Sequence, residues 1–379
     1  MNVAAIDVGS NAVRLIIARV SSPAKLQTLR AERCALRLGS DAFAHHAFAK
    51  PTLRRTVKVF SRFRSLLERY QVTTYRAVAT SAVREARNRQ VLVDRIYRKT
   101  GIWLEVIDGE EESRLERLAV LSVLDSRLSP RAILDLGGGS LEVSFLRDGR
   151  LERAAQLAVG TVRLMERFKL DGAIRRRDEE KVRSFVLEQL EKHLPVDLDG
   201  ELAVACGGNA EALARLFPGR RLGGHETLDV LVLRRQIDEI LRLDVRGRMS
   251  VFQVRRDRAE VMGIAAIVFD MLGRWLDVRS LLVPGVGIRE GLVKDLATAR
   301  HVAGRGRSSR SQPAGSRRAA VTARAGLSYA QEVHLLAVSL LDRLRHAPVA
   351  ADLGKGSVKA AAPGDRGPGR PGRRLTLPR

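Results

Sequence analysis

The sequence predicts an α/β protein of two similar lobes around a central phosphate-binding cleft, followed by a short C-terminal helix and a disordered basic tail. Three observations carry this prediction. A short apolar strand running into an Asp and a Gly/Ser turn occurs twice, as Ala4-Ala5-Ile6-Asp7-Val8-Gly9-Ser10-Asn11 and as Ile133-Leu134-Asp135-Leu136-Gly137-Gly138-Gly139-Ser140. The pattern after each copy also repeats, with three strands and then helices alternating with strands. At 379 residues the chain exceeds one ordinary domain, and 45% hydrophobic residues are ample for two cores.

In the first lobe, residues 3–6, 14–20 and 26–33 read as strands separated by Gly9-Ser10-Asn11 and Ser21-Ser22-Pro23, an antiparallel meander. Residues 52–70 have helical spacing, with Leu53, Val57, Phe60, Leu66 and Leu67 on one side. A strand at 74–79, a helix at 90–100 and a strand at 103–107, ending at Asp108-Gly109, complete the lobe. In the second lobe, 132–135, 141–146 and 151–157 are strands, with Asp148-Gly149 as the hairpin turn. Helical patterns follow at 162–168, 178–193, 231–244 and 259–276, with strands near 202–206 and 281–284. The lobes are assigned to 1–126 and 127–299. Residues 300–326, rich in Gly, Ser and Arg, read as a linker, 327–346 as an amphipathic helix and 347–379 as a disordered basic tail.

The formal charge of +24 favours an anionic partner. Residues 301–379 hold 15 Arg and Lys against 4 Asp and Glu, so +11 of that charge lies there and the folded body is far less basic. With 4% aromatic residues, stacking of nucleic-acid bases is disfavoured, and nucleic acid is not the expected substrate. The longest uncharged apolar run, 261–269, is too short to span a bilayer, so no membrane partner is expected. Cys34 and Cys206 make neither a disulfide framework nor a metal cluster, and His45, His46, His193, His225 and His334 lack ligand spacing. A reduced, cytoplasmic protein is the simpler expectation.

The twin loops carry the chemistry. Glycine lets the backbone turn tightly and bring N–H groups against an anion, while the Asp at the strand end can hold a hydrated cation. Gly9, Ser10 and Asn11 on one side, and Gly137, Gly138, Gly139 and Ser140 on the other, are placed to grip a polyphosphate from both sides, with Arg14 and Arg84 available for its oxygens. Between the loops lies Gly109-Glu110-Glu111-Glu112-Ser113-Arg114-Leu115. Part of this acidic run suits the positive end of a helix dipole, with Asp108 as N-cap and Glu111 as its capping-box partner. That leaves Glu112 free to face the cleft.

With these motifs, the chain resembles the exopolyphosphatase and guanosine pentaphosphate phosphohydrolase (Ppx/GppA) family, within the actin, sugar kinase and Hsp70-like superfamily. The Gly109–Leu115 block matches the family's Gly-x-Glu-Glu-Ala-Arg-Leu element, and Thr80-Ser81-Ala82-Val83-Arg84 its Thr-x-Ala-x-Arg element. Gly160-Thr161-Val162-Arg163, the third Gly turn Cys206-Gly207-Gly208-Asn209, and Gly287-Ile288-Arg289-Glu290-Gly291-Leu292 follow in the family's order. Matches cover about residues 3–297. The resemblance implies actin-like (ribonuclease H-like) lobes and release of terminal phosphate from inorganic polyphosphate or guanosine pentaphosphate.

It further implies Glu112 as catalytic base, Glu142 as a metal- or water-positioning group, and Mg2+ held by Asp7, Asp135 and Glu142. Gly207 and Gly208 join the phosphate-binding set, and a homodimer is compatible with the family. A non-catalytic polyphosphate or alarmone sensor is an alternative reading, as is an actin-like ATPase or sugar kinase, against which the Gly109–Leu115 block counts. Two positions depart from the pattern: Leu141 stands where Thr is usual but alternates away from Ser140, and Asn209 replaces Thr in the third Gly turn. Longer relatives continue into a helical domain, of which residues 329–344 resemble the opening helix.

Overall fold

The computed structural model describes residues 1–194 and 202–305. The expected helix at 327–346 and tail at 347–379 lie outside the described residues, as does most of the expected linker. The chain opens with β1 (Asn2–Val8), β2 (Val13–Ser22) and β3 (Lys25–Cys34), then α1 (Leu38–His45), α2 (Lys50–Arg69), β4 (Thr74–Ala79), α3 (Ser81–Glu85), α4 (Arg89–Thr100), β5 (Glu105–Val106) and α5 (Gly109–Leu121). The second half repeats this with β6 (Ala132–Leu136), β7 (Leu141–Arg147), β8 (Arg150–Leu157), α6 (Thr161–Phe168), α7 (Arg176–His193), β9 (Ala203–Cys206) and α8 (Gly207–Leu216). It continues through β10 (Glu226–Asp229), α9 (Val230–Arg242), α10 (Val245–Phe252), α11 (Arg256–Trp275), β11 (Ser280–Val283) and α12 (Ile288–Arg305).

The duplication is visible in the sheets. One has the order β3-β2-β1-β4-β5 and the other β10-β11-β9-β6-β7-β8. In each, an antiparallel meander is extended by parallel strands on the side of its first strand, and in the second sheet β10 then adds an antiparallel edge beside β11. The strands carrying the twin loops, β1 and β6, thus sit at corresponding places inside their sheets. Both are almost wholly buried, as expected of short apolar runs covered on two faces. The outer strands β3 and β8 are charged and largely exposed, which discourages edge-to-edge pairing.

Helix α5 joins the lobes. Its Leu115 packs with Val3, Ala5 and Val78 of the first sheet, while Val120 packs with Ile133, Leu146 and Val204 of the second. Helix α12 returns across the molecule: Ile288, Leu292, Val293 and Leu296 lie on the first sheet. Gly291 meets the backbone of α5, where a Cβ would stand 2.1 Å from the Leu115 oxygen. The boundary at residue 299 therefore needs correction, because α12 packs with the first lobe and continues five residues beyond 300. The sequence reading placed no helix here, only the Gly287–Leu292 motif, and nothing in linear sequence says which sheet the apolar face of α12 meets.

Other differences are local. Helices α1, α3 and α10 and strand β10 are absent from the sequence reading because each is short and lies in polar or mixed sequence. Asp244, read as the end of one helix, starts the next, since its carboxylate accepts from the Gly247 N–H at 2.7 Å. The first hairpin turns at Pro23-Ala24, as Ser22 still pairs with Lys25. The apolar run 261–269 is buried all round inside α11. No helix among the described residues is long and apolar enough to cross a membrane.

Candidate active site

Each loop positions an acid through its own hairpin. Asp7 is the penultimate residue of β1, 3% exposed, and accepts from Arg14 Nη1 across the β1–β2 pair at 3.1 Å. The turn closes with Gly9 N–H donating to Ala12 O at 3.1 Å. In the second lobe Asp135 of β6 is paired in register with Glu142 of β7, so both carboxylates project from the same side. Glu142 is held by two donors, the Ser140 hydroxyl and Gln156 Nε2, the latter at 2.7 Å. Leu141 points away into the core, as strand alternation predicts.

The third Gly turn is fixed by close approach. Gly207 has φ +77, and a Cβ there would lie 2.4 Å from Asp135 Oδ1. Only glycine meets both conditions without strain. Asn209, inside α8, donates from Nδ2 to Leu136 O at 2.7 Å and accepts from Arg258. It therefore ties α8 to the second loop rather than capping the helix. The loops also abut across the cleft: a Cβ on Gly139 would fall 1.9 Å from Ser81 Oγ, and Ser81 Oγ is 3.2 Å from Ser10 Oγ.

Helix α5 brings the acids from between the sheets. Asp108 is its N-cap, accepting from the Glu111 N–H at 2.9 Å. Glu111 does not complete the capping box. Its carboxylate instead takes Arg114 Nε at 2.6 Å and Arg76 Nη1 at 2.8 Å, and these hydrogen-bonded cations hold its pKa below the usual range against the effect of burial. Glu112 turns inward, 5% exposed, with Arg84 Nη1 3.2 Å from its Oε2. Glu116, one turn later, is 2% exposed.

One pocket of about 70 Å³ is walled by Asp7, Gly9, Ser10, Asn11, Arg14, Glu112, Asp135, Gly137, Gly138, Gly139, Ser140, Glu142, Gly207 and Gly208. These are the residues singled out from sequence, apart from Arg84, which acts on the pocket through Glu112. Thr80, Ser81, Thr161, Asn209 and Arg258 line it as well. It opens into a cavity of about 480 Å³ whose walls add Arg33, Arg215, Arg255 and Arg289 against Glu211 and Glu290.

The electrostatics follow from burial. Glu112 is pushed well above the usual carboxylate range by desolvation and then by Glu142, with Arg84 opposing. Glu142 is pushed up to about 7 by burial, although its bonds from Gln156 and Ser140 favour the charged form. Glu116 and Asp135 are also raised by burial. Arg258 is lowered to about 10 by burial and by Arg14 and Arg33. A buried carboxylate with a raised pKa is, when ionised, a stronger proton acceptor than a solvated one.

The acidic cluster differs from the expected ligand set. Among the described residues, the carboxylates whose oxygens lie mutually within 4.8 Å are Glu112, Glu116 and Glu142. Asp7 faces Arg14 instead. Glu116 was missed because a lone Glu on a helix reads as solvated, although its i, i+4 relation to Glu112 puts both on one face. Arg258 carries no local signal, being brought in by α11 from far along the chain.

Comparison with known proteins agrees with this architecture. Residues 16–299 match the model of the Ppx/GppA phosphatase family. The chain is 29% identical over 302 residues to Exopolyphosphatase 1 of Mycobacterium tuberculosis, covering 77% of this chain and 87% of that protein. It is 29% identical over 321 residues to Exopolyphosphatase 2 of the same organism, covering 78% and 98%. A crystal structure of the Ppx/GppA family member from Aquifex aeolicus superposes with a TM-score of 0.66 at 27% identity, covering 79% of this chain and 98% of that one. With the family model spanning three quarters of its length and both actin-like lobes in place, this chain belongs to the Ppx/GppA phosphatase family.

Proposed function

We propose that the protein is a Mg2+-dependent phosphoanhydride hydrolase that releases the terminal phosphate of inorganic polyphosphate. The observation that carries this reading is Glu112, a buried carboxylate beside the pocket between the twin loops, with a raised pKa and a single arginine against it. Hydrolysis of an anhydride needs a water directed in line at phosphorus and cations to spread the developing charge. Glu112 accepts the proton of that water. Backbone N–H groups of residues 10–11 and 138–140, with the Ser10 hydroxyl, hold the terminal phosphates, while the Gly9 and Gly137 N–H groups close their own turns and Arg84 balances Glu112.

The donor set is all oxygen and suits Mg2+. Asp135 and Glu142, paired across β6 and β7, together with Asp7 on the opposite wall, would hold it. When bound it neutralises phosphate charge and orients the leaving group. Glu142 is fixed in place by the Ser140 hydroxyl and Gln156.

Guanosine pentaphosphate presents the same anhydride end and is the second candidate substrate. The adjoining cavity of about 480 Å³ favours it, being within the range of small-ligand pockets and rich in arginine. The free thiols of Cys34 and Cys206 support a cytoplasmic setting. Phosphate release from both substrates in parallel, with and without Mg2+, tests the reading: release that is Mg2+-dependent from at least one supports it. Tight binding of either substrate without release would favour a sensor instead.

A further inference from the structure

Glu116 is not needed for any step above, yet it is among the most deeply buried acids in the molecule. It lies beneath the pocket wall, one turn from Glu112, with its carboxyl group against Asp135. Five carboxylates, those of Asp7, Glu112, Glu116, Asp135 and Glu142, gather at this spot. Arg14 answers Asp7, Arg84 answers Glu112, and Arg258 is bonded to Asn209. No ion pair reaches Glu116 or Glu142 among the described residues. Burying that much uncompensated negative charge is costly unless it is met by protons or by a cation.

A cluster of acids alone is no site, but Glu116 adds a second observation. Its carboxyl group shares a hydrogen bond with Asp135, but its Oε1 is buried and accepts from no donor, although buried acceptors are nearly always satisfied. The ligand oxygens of Glu112, Glu116 and Glu142 lie within 4.8 Å of one another, which is the spread a single ion can bridge.

We propose that Glu112, Glu116 and Glu142 form a divalent-cation site beneath the pocket, additional to the Mg2+ position at Asp7, Asp135 and Glu142, and that it is inhibitory. The inhibitory part rests on Glu112 being the base. A carboxylate that ligates a dication is a poor proton acceptor, so filling the inner site withdraws Glu112 from catalysis. The outer cation supports the reaction and the inner one silences it, which makes turnover rise and then fall with cation concentration.

Mn2+ is the probe. Free Mn2+ is followed by electron paramagnetic resonance as it is titrated into the full-length wild-type protein and into Glu116→Gln, a nearly isosteric change. Wild type is expected to bind one more Mn2+ per chain than the variant. Its phosphate release from polyphosphate should rise and then fall with Mn2+, while that of Glu116→Gln does not fall. Equal Mn2+ counts overturn the site, and a wild-type rate that never falls overturns its inhibitory role. If Glu116→Gln does not fold, the wild type decides alone: two Mn2+ per chain support the site and one overturns it. Failure of the catalytic reading is separable, because it leaves the difference in Mn2+ count between wild type and Glu116→Gln intact.

Discussion

Arg84 and Glu112 are coupled as a restrained ion pair. Arg84 Nη1 stands 3.2 Å from Glu112 Oε2 and donates to the Ile107 carbonyl at 2.7 Å, so the guanidinium is anchored to the segment that leads into α5. The pair joins two sequence motifs that lie far apart in the chain, and it sets the charge on the proposed base.

Arg84→Gln should therefore slow phosphate release by roughly 10- to 100-fold, the equivalent of losing a charged hydrogen bond of about 1.5–3 kcal/mol. The acid limb of the rate profile should also move to higher pH, because Arg84 opposes the upward push on Glu112. A pH series of initial rates checks both.

Without divalent cations, stability should fall as pH rises. The folded chain keeps protons on Glu142, whose pKa is raised from 4.5 to about 7, whereas the unfolded chain releases them. The folded state then binds more protons than the unfolded one between these values, so the slope of unfolding free energy against pH is negative in that window and flattens above it. At about 1.4 kcal/mol per pH unit, Glu142 alone contributes a loss on the order of 3 kcal/mol. Urea unfolding at several pH values with a chelator measures it, and Glu142→Gln should reduce the slope.

Gly207→Ala should cost about 1–3 kcal/mol, since it forces a side chain into a left-handed backbone and against Asp135. Phosphate release should fall with it, because Asp135 must move. Thermal unfolding and activity measured on the same sample test the coupling.

Asp270→Asn offers a contrast. Asp270 is fully buried on α11 and accepts from Arg183 at 2.9 Å, Arg234 at 2.6 Å and Arg274 at 3.3 Å, on the outer side of the second lobe. Its loss should destabilise by about 2 kcal/mol in urea, discounted for the partial exposure of the arginines, while Mn2+ binding stays unchanged.

Much of this was legible in the sequence. The twin strands ending in Asp7 and Asp135 announce themselves because apolar runs and glycine turns are local signals, and the meanders after them follow by alternation. Asp108 was recognised as the cap, but the step that set Glu111 aside as its capping-box partner did not hold, because Glu111 pairs with Arg76 and Arg114, and Glu112 was singled out by its motif position. Glu116, Arg258 and the return of α12 to the first sheet were hidden for one reason. Each depends on which surfaces meet in space, and a Glu, an Arg or an apolar stripe reads the same wherever it docks. The short elements α1, α3, α10 and β10 were hidden for another, since a turn or two of helix is fixed by its neighbours more than by its own residues.

The most direct test of the central claim is phosphate release from polyphosphate by Glu112→Gln beside wild type, both with Mg2+. The base role predicts a fall of about 10²- to 10⁴-fold with polyphosphate binding retained, and release at the wild-type rate would contradict it.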